Sequence, residues 1–214
     1  PSGNFGNIYA GFLARSMGLP IRRLILATNE NNVLEEFFTT GVYRPRSAED
    51  TLATSSPSMD ISKASNLERF IWALLGPETF VQRWAELEST GMLDLRDQLP
   101  RLREEFGFVA GTSSHADRLE AIRNVKERSG RLIDPHTADG VTVALRVMEP
   151  GFPTLVMETA KAAKFPQTVA KALGSEPETP DVVVDLLARP QKVETIDNEE
   201  APLRALIEER ALSR

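Results

Sequence analysis

The chain has 214 residues, with 31 acidic against 25 basic side chains and a formal charge of −6, which leaves no basic footprint for nucleic acid. Its 41% hydrophobic and 26% charged content is that of an ordinary globular protein, and no apolar run approaches the roughly 18–20 residues that span a bilayer. Cysteine is absent and the two histidines, His115 and His136, stand far apart, so disulfides, thiolate chemistry and a metal cluster are not expected, and a cytoplasmic protein is the default.

The chain opens on Pro1-Ser2-Gly3-Asn4-Phe5-Gly6-Asn7. Two glycines three residues apart allow left-handed backbone and close approach to a ligand, and the asparagines tolerate the same conformations. Ile8 to Met17 reads as a helix, apolar nearly all round and therefore buried. The loop thus sits at a helix N-terminus, where free N–H groups and the positive end of the dipole form an anion site. Such a loop normally follows a strand. None precedes Gly3, and the chain reads as the C-terminal part of something longer.

Gly18 and Pro20 end the first helix. Leu24-Ile25-Leu26-Ala27 is a short apolar run suited to an interior parallel strand. It empties into Thr28-Asn29-Glu30-Asn31-Asn32, after which Val33, Leu34, Phe37 and Phe38 mark a helix that Gly41 stops. Tyr43 to Met59 is a long polar loop, a length more often functional than filler. Leu67, Phe70, Ile71, Leu74 and Leu75 define an amphipathic helix, and Phe80, Val81, Trp84 and Leu87 another beyond Gly76-Pro77. With Leu99, Leu102 and Phe106 continuing in helical spacing, residues 62–107 read as a helical insertion whose aromatics are core.

Phe108 to Gly111 reads as a strand, followed by a surface helix through Leu119, Ile122 and Val125 up to Gly130. Arg131-Leu132-Ile133 is expected to be a short strand, with Asp134 to Gly140 a polar turn leading into a helix through Met148. Thr154 to Met157 is the last expected strand, ending in Glu158-Thr159. Helices are expected around Val169 and Leu173, from Val182 to Leu187, and from Ala201 to Ala211. The sum is an α/β protein: a partial parallel-sheet, three-layer domain over 1–175 and a helical extension over 176–214. Its polar turns at Gly3–Asn7, Asp134–Gly140 and Thr159 would face one crevice at the strand ends. No phosphate-loop lysine follows the glycines, and their spacing is not the dinucleotide fingerprint.

Gly3-Asn4-Phe5-Gly6-Asn7 resembles the phosphate-binding loop of fold-type II pyridoxal phosphate enzymes, and its flanks are similar to the threonine synthases in particular. Ala27-Thr28-Asn29-Glu30-Asn31, Ser56 to Ile61, Ser65 to Arg69, Asp134 to Ala138, and Glu158-Thr159-Ala160 with Ala163-Lys164-Phe165 recur there in the same order. The resemblance covers about the first 175 residues. It implies a lyase of threonine biosynthesis that converts O-phospho-L-homoserine and water to L-threonine and phosphate, with pyridoxal 5′-phosphate as cofactor. By the same resemblance Gly3, Asn4, Phe5, Gly6 and Asn7 hold the cofactor phosphate and Thr159 bonds the ring nitrogen.

The family's Schiff-base lysine lies upstream of the loop, so no catalytic residue is assigned here, Lys63, Lys161 and Lys164 read as solvated, and the piece alone is expected to be inactive. Lys161-Ala162 stands where the family usually has His-Pro. His136 and Arg69 receive no role. Two other readings remain: a dehydratase-like lyase of the same fold type, against which the Ser56–Asp60 and Asn66–Arg69 segments argue, and a non-catalytic binding domain that kept the loop.

Overall fold

The computed structural model describes residues 1–211, which form two compact units, Pro1–Glu178 and Thr179–Arg214 up to the last described residue. In the first unit the expected strand run becomes β1 (Leu24–Thr28), which pairs in parallel with β4 (Phe108–Thr112) from Leu24 opposite Phe108 to Thr28 opposite Thr112. Because side chains alternate along a strand, Leu24, Leu26, Phe108 and Ala110 face one side. Ile25, Ala27, Val109 and Gly111 face the other.

The first side is aromatic. Helices α1 (Gly6–Ser16), α2 (Val33–Thr40) and α3 (Leu67–Leu75) bring Phe12, Phe38 and Phe70 onto Phe108, with Phe37 behind Phe38. Ring centroids of Phe38 and Phe70 lie 4.5 and 5.0 Å from that of Phe108. Each such burial stabilises by about 1.5–3 kcal/mol and each ring pair adds roughly 0.5–1.5 more. The 62–107 stretch is mostly helical, with α4 (Pro77–Thr90), but it is not all helix. Leu93–Asp94 forms β3, antiparallel to β2 (Val42–Tyr43), and Arg96–Gln98 and Arg101–Glu105 are short non-α turns.

The second side is covered by α6 (Pro135–Val147), flanked by α5 (His115–Ser129) and α7 (Pro166–Leu173). Gly111 is glycine because α6 lies so close: a Cβ there would stand 2.8 Å from a Val143 methyl. Helix α5 starts with a reciprocal cap between Ser114 and Asp117, worth about 1 kcal/mol. In the second unit, α8 (Asp181–Ala188) and α9 (Glu200–Ala211) leave no described residue buried.

Four expectations need correction. Arg131–Ile133 and Thr154–Met157 form no strands. A strand exists through a partner's hydrogen bonds, and among the described residues the parallel sheet has only β1 and β4, so Leu155 and Met157 stand exposed. Asp134–Gly140 is no turn, because the helix begins at Pro135 with Asp134 as its cap. Helix α1 is not buried all round: Ile8 and Phe12 are inside, while Leu13 and Met17 are exposed.

Candidate functional site

The opening loop lies beside the C-terminal end of β1, where the Ser2 N–H bonds the Ala27 carbonyl at 3.0 Å. Gly3 presses on the turn at Pro57–Met59, and a Cβ at Gly3 would stand 2.8 Å from the Met59 Cα. Asn4 is held from α3: its carbonyl accepts from the Asn66 N–H and Nδ2, each at 3.1 Å, and its Oδ1 accepts from Ser65. The Ser65-Asn66 pair therefore braces the loop.

Phe5 is the pivot. Its φ of 64° is the one positive value at a non-glycine among the described residues. Such a conformation is costly for a bulky side chain and persists only where the surroundings enforce it. Here the ring is fully buried, stacked on Phe38 at 5.5 Å and tilted against Phe70 at 5.6 Å. The first intrahelical bond of α1 runs from the Tyr9 N–H to the Phe5 carbonyl. No side chain caps the helix, so the amides of Gly6, Asn7 and Ile8 have no partner within it. Open amides following a left-handed residue form a concave nest for anions. The loop fits a phosphate group.

The start of α6 backs onto this loop. A Cβ at Gly140 would meet Pro1 at 3.0 Å and the Val156 methyl at 2.9 Å. Pro1, two residues before Gly3, and Gly140 of the Asp134–Gly140 segment are thus brought together. Thr159 is exposed and lies three residues beyond Val156, hence within about 11 Å of it along the chain. Lys161 is exposed and paired with Glu158 at 2.7 Å.

Two buried polar groupings escaped the sequence reading. In the first, Asp134 accepts from the His136 N–H at 2.9 Å and from the Thr137 N–H and hydroxyl, and its Oδ1 lies 2.7 Å from His136 Nδ1. Burial works to raise the Asp134 pKa, but these hydrogen bonds prevail and hold it below the ordinary carboxylate value. In the second, fully buried Arg118 bonds both Glu30 oxygens at 2.9 and 2.8 Å, Asp139 Oδ1 at 2.8 Å and the Ser55 hydroxyl at 2.9 Å. Asp139 Oδ2 is buried with no partner at hydrogen-bond distance, although the Ser56 and Ser113 hydroxyls are near enough to pull the carboxyl's pKa down. Burial pushes this carboxyl up to about 6, against the opposing pull of Arg118. The readable signal was spacing: Arg118 lies on the inward stripe of α5 with Ala121, Ile122 and Val125.

Arg118 also borders a cavity of about 550 Å³ walled by Glu30, Leu52, Thr54, Ser55, His115 and Lys171. Glu30 follows β1 and His115 opens the helix after β4, so the cavity stands at the C-terminal ends of both strands, where α/β sheets place ligands. Groupings of acidic and histidine side chains suited to a metal are absent among the described residues.

A family model described as "Threonine synthase, C-terminal" matches residues 137–207. The threonine synthase of Methylobacillus glycogenes is 50% identical over 212 residues, covering 98% of this chain and 45% of that protein. That of Corynebacterium glutamicum is 50% identical over 206 residues, covering 93% and 42%. Among solved structures, PLP-bound threonine synthase from Brucella melitensis superposes with a TM-score of 0.86 at 36% identity, covering all of this chain and 45% of that one. The chain therefore spans a little under half the length of the relatives it matches. In sequence along its whole length, and in fold, it belongs to the threonine synthase family.

Proposed function

We propose that this chain supplies the phosphate-binding side of a pyridoxal 5′-phosphate site in a lyase that turns O-phospho-L-homoserine and water into L-threonine and phosphate. The observation that carries the reading is the loop itself: open amides at Gly6, Asn7 and Ile8 behind a forced left-handed Phe5, in a chain of this family. The cofactor, when bound, supplies an electron sink for eliminating the substrate phosphate and adding water.

The residues of the chain have the complementary tasks. Gly3, Asn4, Phe5, Gly6 and Asn7 hold the phosphate through backbone N–H groups and the helix dipole. Thr159 offers its hydroxyl to the ring nitrogen. A hydroxyl, unlike a carboxylate, does not stabilise a protonated ring, so this partner moderates the sink. The cavity beside β1 and β4, with Glu30, His115, Arg118 and Lys171 on its walls, receives the substrate.

Asn7→Asp tests this reading with effects of opposite sign. A carboxylate in the first turn favours the helix dipole yet repels a phosphate in the same place. Binding of pyridoxal phosphate and of inorganic phosphate, followed by calorimetry, is expected to weaken at least about tenfold, the scale of a lost charge-assisted contact. The melting temperature should hold or rise. Unchanged binding of both ligands would remove the loop from the site. Release of phosphate from O-phospho-L-homoserine by the natural full-length protein tests the reaction itself.

A further inference from the structure

His136 is buried, and its two ring nitrogens have different partners. Nε2 lies 3.0 Å from the backbone N of Ser58, and Nδ1 lies 2.7 Å from Asp134 Oδ1. A backbone N–H only donates, so Nε2 is the acceptor and carries no hydrogen. The ring hydrogen is then on Nδ1, donated to a carboxylate that also caps α6. Phe165 packs on the ring at 4.6 Å between centroids, which fixes its plane. Orientation and tautomer are both set, and neither nitrogen faces an open site.

What this ring holds is the turn beneath Gly3. The ends of that turn are secured mainly from the segment after β1: Asn29 Nδ2 bonds the Ser56 carbonyl and hydroxyl, and Asp60 accepts from Asn29, Asn31 and Thr54. Its middle is secured by the Ser58-to-His136 bond. The next residue, Met59, is the one whose Cα leaves no room for a Cβ on Gly3.

We propose that His136 is a positioning residue for the anion loop. As an imidazole protonated on Nδ1, it pins Ser58, sets Met59, and thereby fixes the backbone of Gly3 that opens the nest. This rests on the reading of Gly3–Asn7 as a cofactor-phosphate site, and it assigns His136 to geometry rather than to proton transfer.

The test compares His136→Ala, His136→Phe and His136→Gln with the parent protein. Phe keeps the ring packing without nitrogens, and Gln restores an acceptor near Nε2. Pyridoxal phosphate binding is expected to weaken about tenfold in the Ala and Phe variants, the scale of one orphaned buried amide. The Gln variant should recover to within about threefold. Without ligand, ¹⁵N NMR of the parent should show Nδ1 protonated and Nε2 bare, and the Gly3 and Met59 amide resonances should shift in the Phe variant. If the parent binds the ligand and the Phe variant binds it equally well, or if Nε2 carries the hydrogen, the assignment is wrong. If the parent binds no phosphate at all, the proposed function fails instead, and the ligand-free spectra still decide whether His136 shapes the loop.

Discussion

The two faces of the β1/β4 sheet are stabilised by different physics. One is a wall of phenylalanines in which Phe5, Phe37, Phe70 and Phe108 are almost wholly buried. The other places Arg118 of α5 and Asp134, His136 and Asp139 at the start of α6 out of water in two separate groups, Arg118 joined to Asp139, Glu30 and Ser55, and Asp134 to His136. Apolar packing is tolerant, because a cavity costs in proportion to its size and the site relaxes around it. A buried charge is not tolerant, because a single lost partner leaves an ion in a medium that cannot solvate it. The aromatic face is therefore a foundation, and the charged face is a pair of fastenings, in each of which a member depends on its own partners.

Arg118→Met is the sharpest way to break this contrast. It strands Asp139 and releases Glu30, at an expected cost of about 3–5 kcal/mol in urea unfolding. Adding Asp139→Asn to it should recover part of that loss, and a double variant no better than the single would mean that Arg118 acts through packing alone.

Next comes pH. Asp139 is pushed from an ordinary 3.8 up to about 6, so between those values the folded state holds the extra proton. Its contribution is complete below about pH 4 and is lost as pH rises through about 6, amounting to roughly 3 kcal/mol at most. Stability curves of the parent and Asp139→Asn should therefore diverge between pH 4 and 6, with the parent falling; parallel curves would place the carboxyl at its ordinary value. Asp134, held low by its hydrogen bonds, acts in the opposite sense, its contribution being present above the ordinary carboxylate range and lost on acidification.

On the aromatic face, Phe70→Leu is expected to cost only about 1.5 kcal/mol, with no change in pH slope. A larger loss accompanied by a pH effect would merge the two faces into one. Smallest is Arg146→Ala. Its guanidinium pairs with Asp117 at 2.8 Å but is half exposed, so a loss beyond about 1 kcal/mol in thermal or urea unfolding would be out of scale for such a pair.

The sequence reading was reliable where a segment carries its own signal. Leu24–Thr28 and Phe108–Thr112 are short apolar runs between punctuating residues, and the helices through Phe37–Phe38, Phe70–Leu74 and Ala121–Ile122 repeat at three and four. It failed where structure depends on a remote partner. Thr154–Met157 has a strand's composition and no neighbouring strand among the described residues, and the two-residue β2 and β3 exist through each other. The start of α6 was legible and overlooked, since Asp followed by Pro is a cap and a first helical residue. The loop was readable as an anion site from its glycines and the helix after it. The supports of that loop from Asn66, Met59 and His136 come from more than fifty positions away, and no local pattern announces them.

Phe5 carries one more consequence. Its ring belongs to the aromatic core while its backbone shapes the nest, so the cradle is completed when the core condenses and owes nothing to the ligand. Ligand binding then bears little of the cost of ordering that backbone, and the free protein should present the same loop as the loaded one. The reverse also holds. Warming that loosens the core around Phe38 and Phe70 dissolves the cradle in the same step, so affinity and foldedness share one temperature dependence and binding serves as a thermometer of the core.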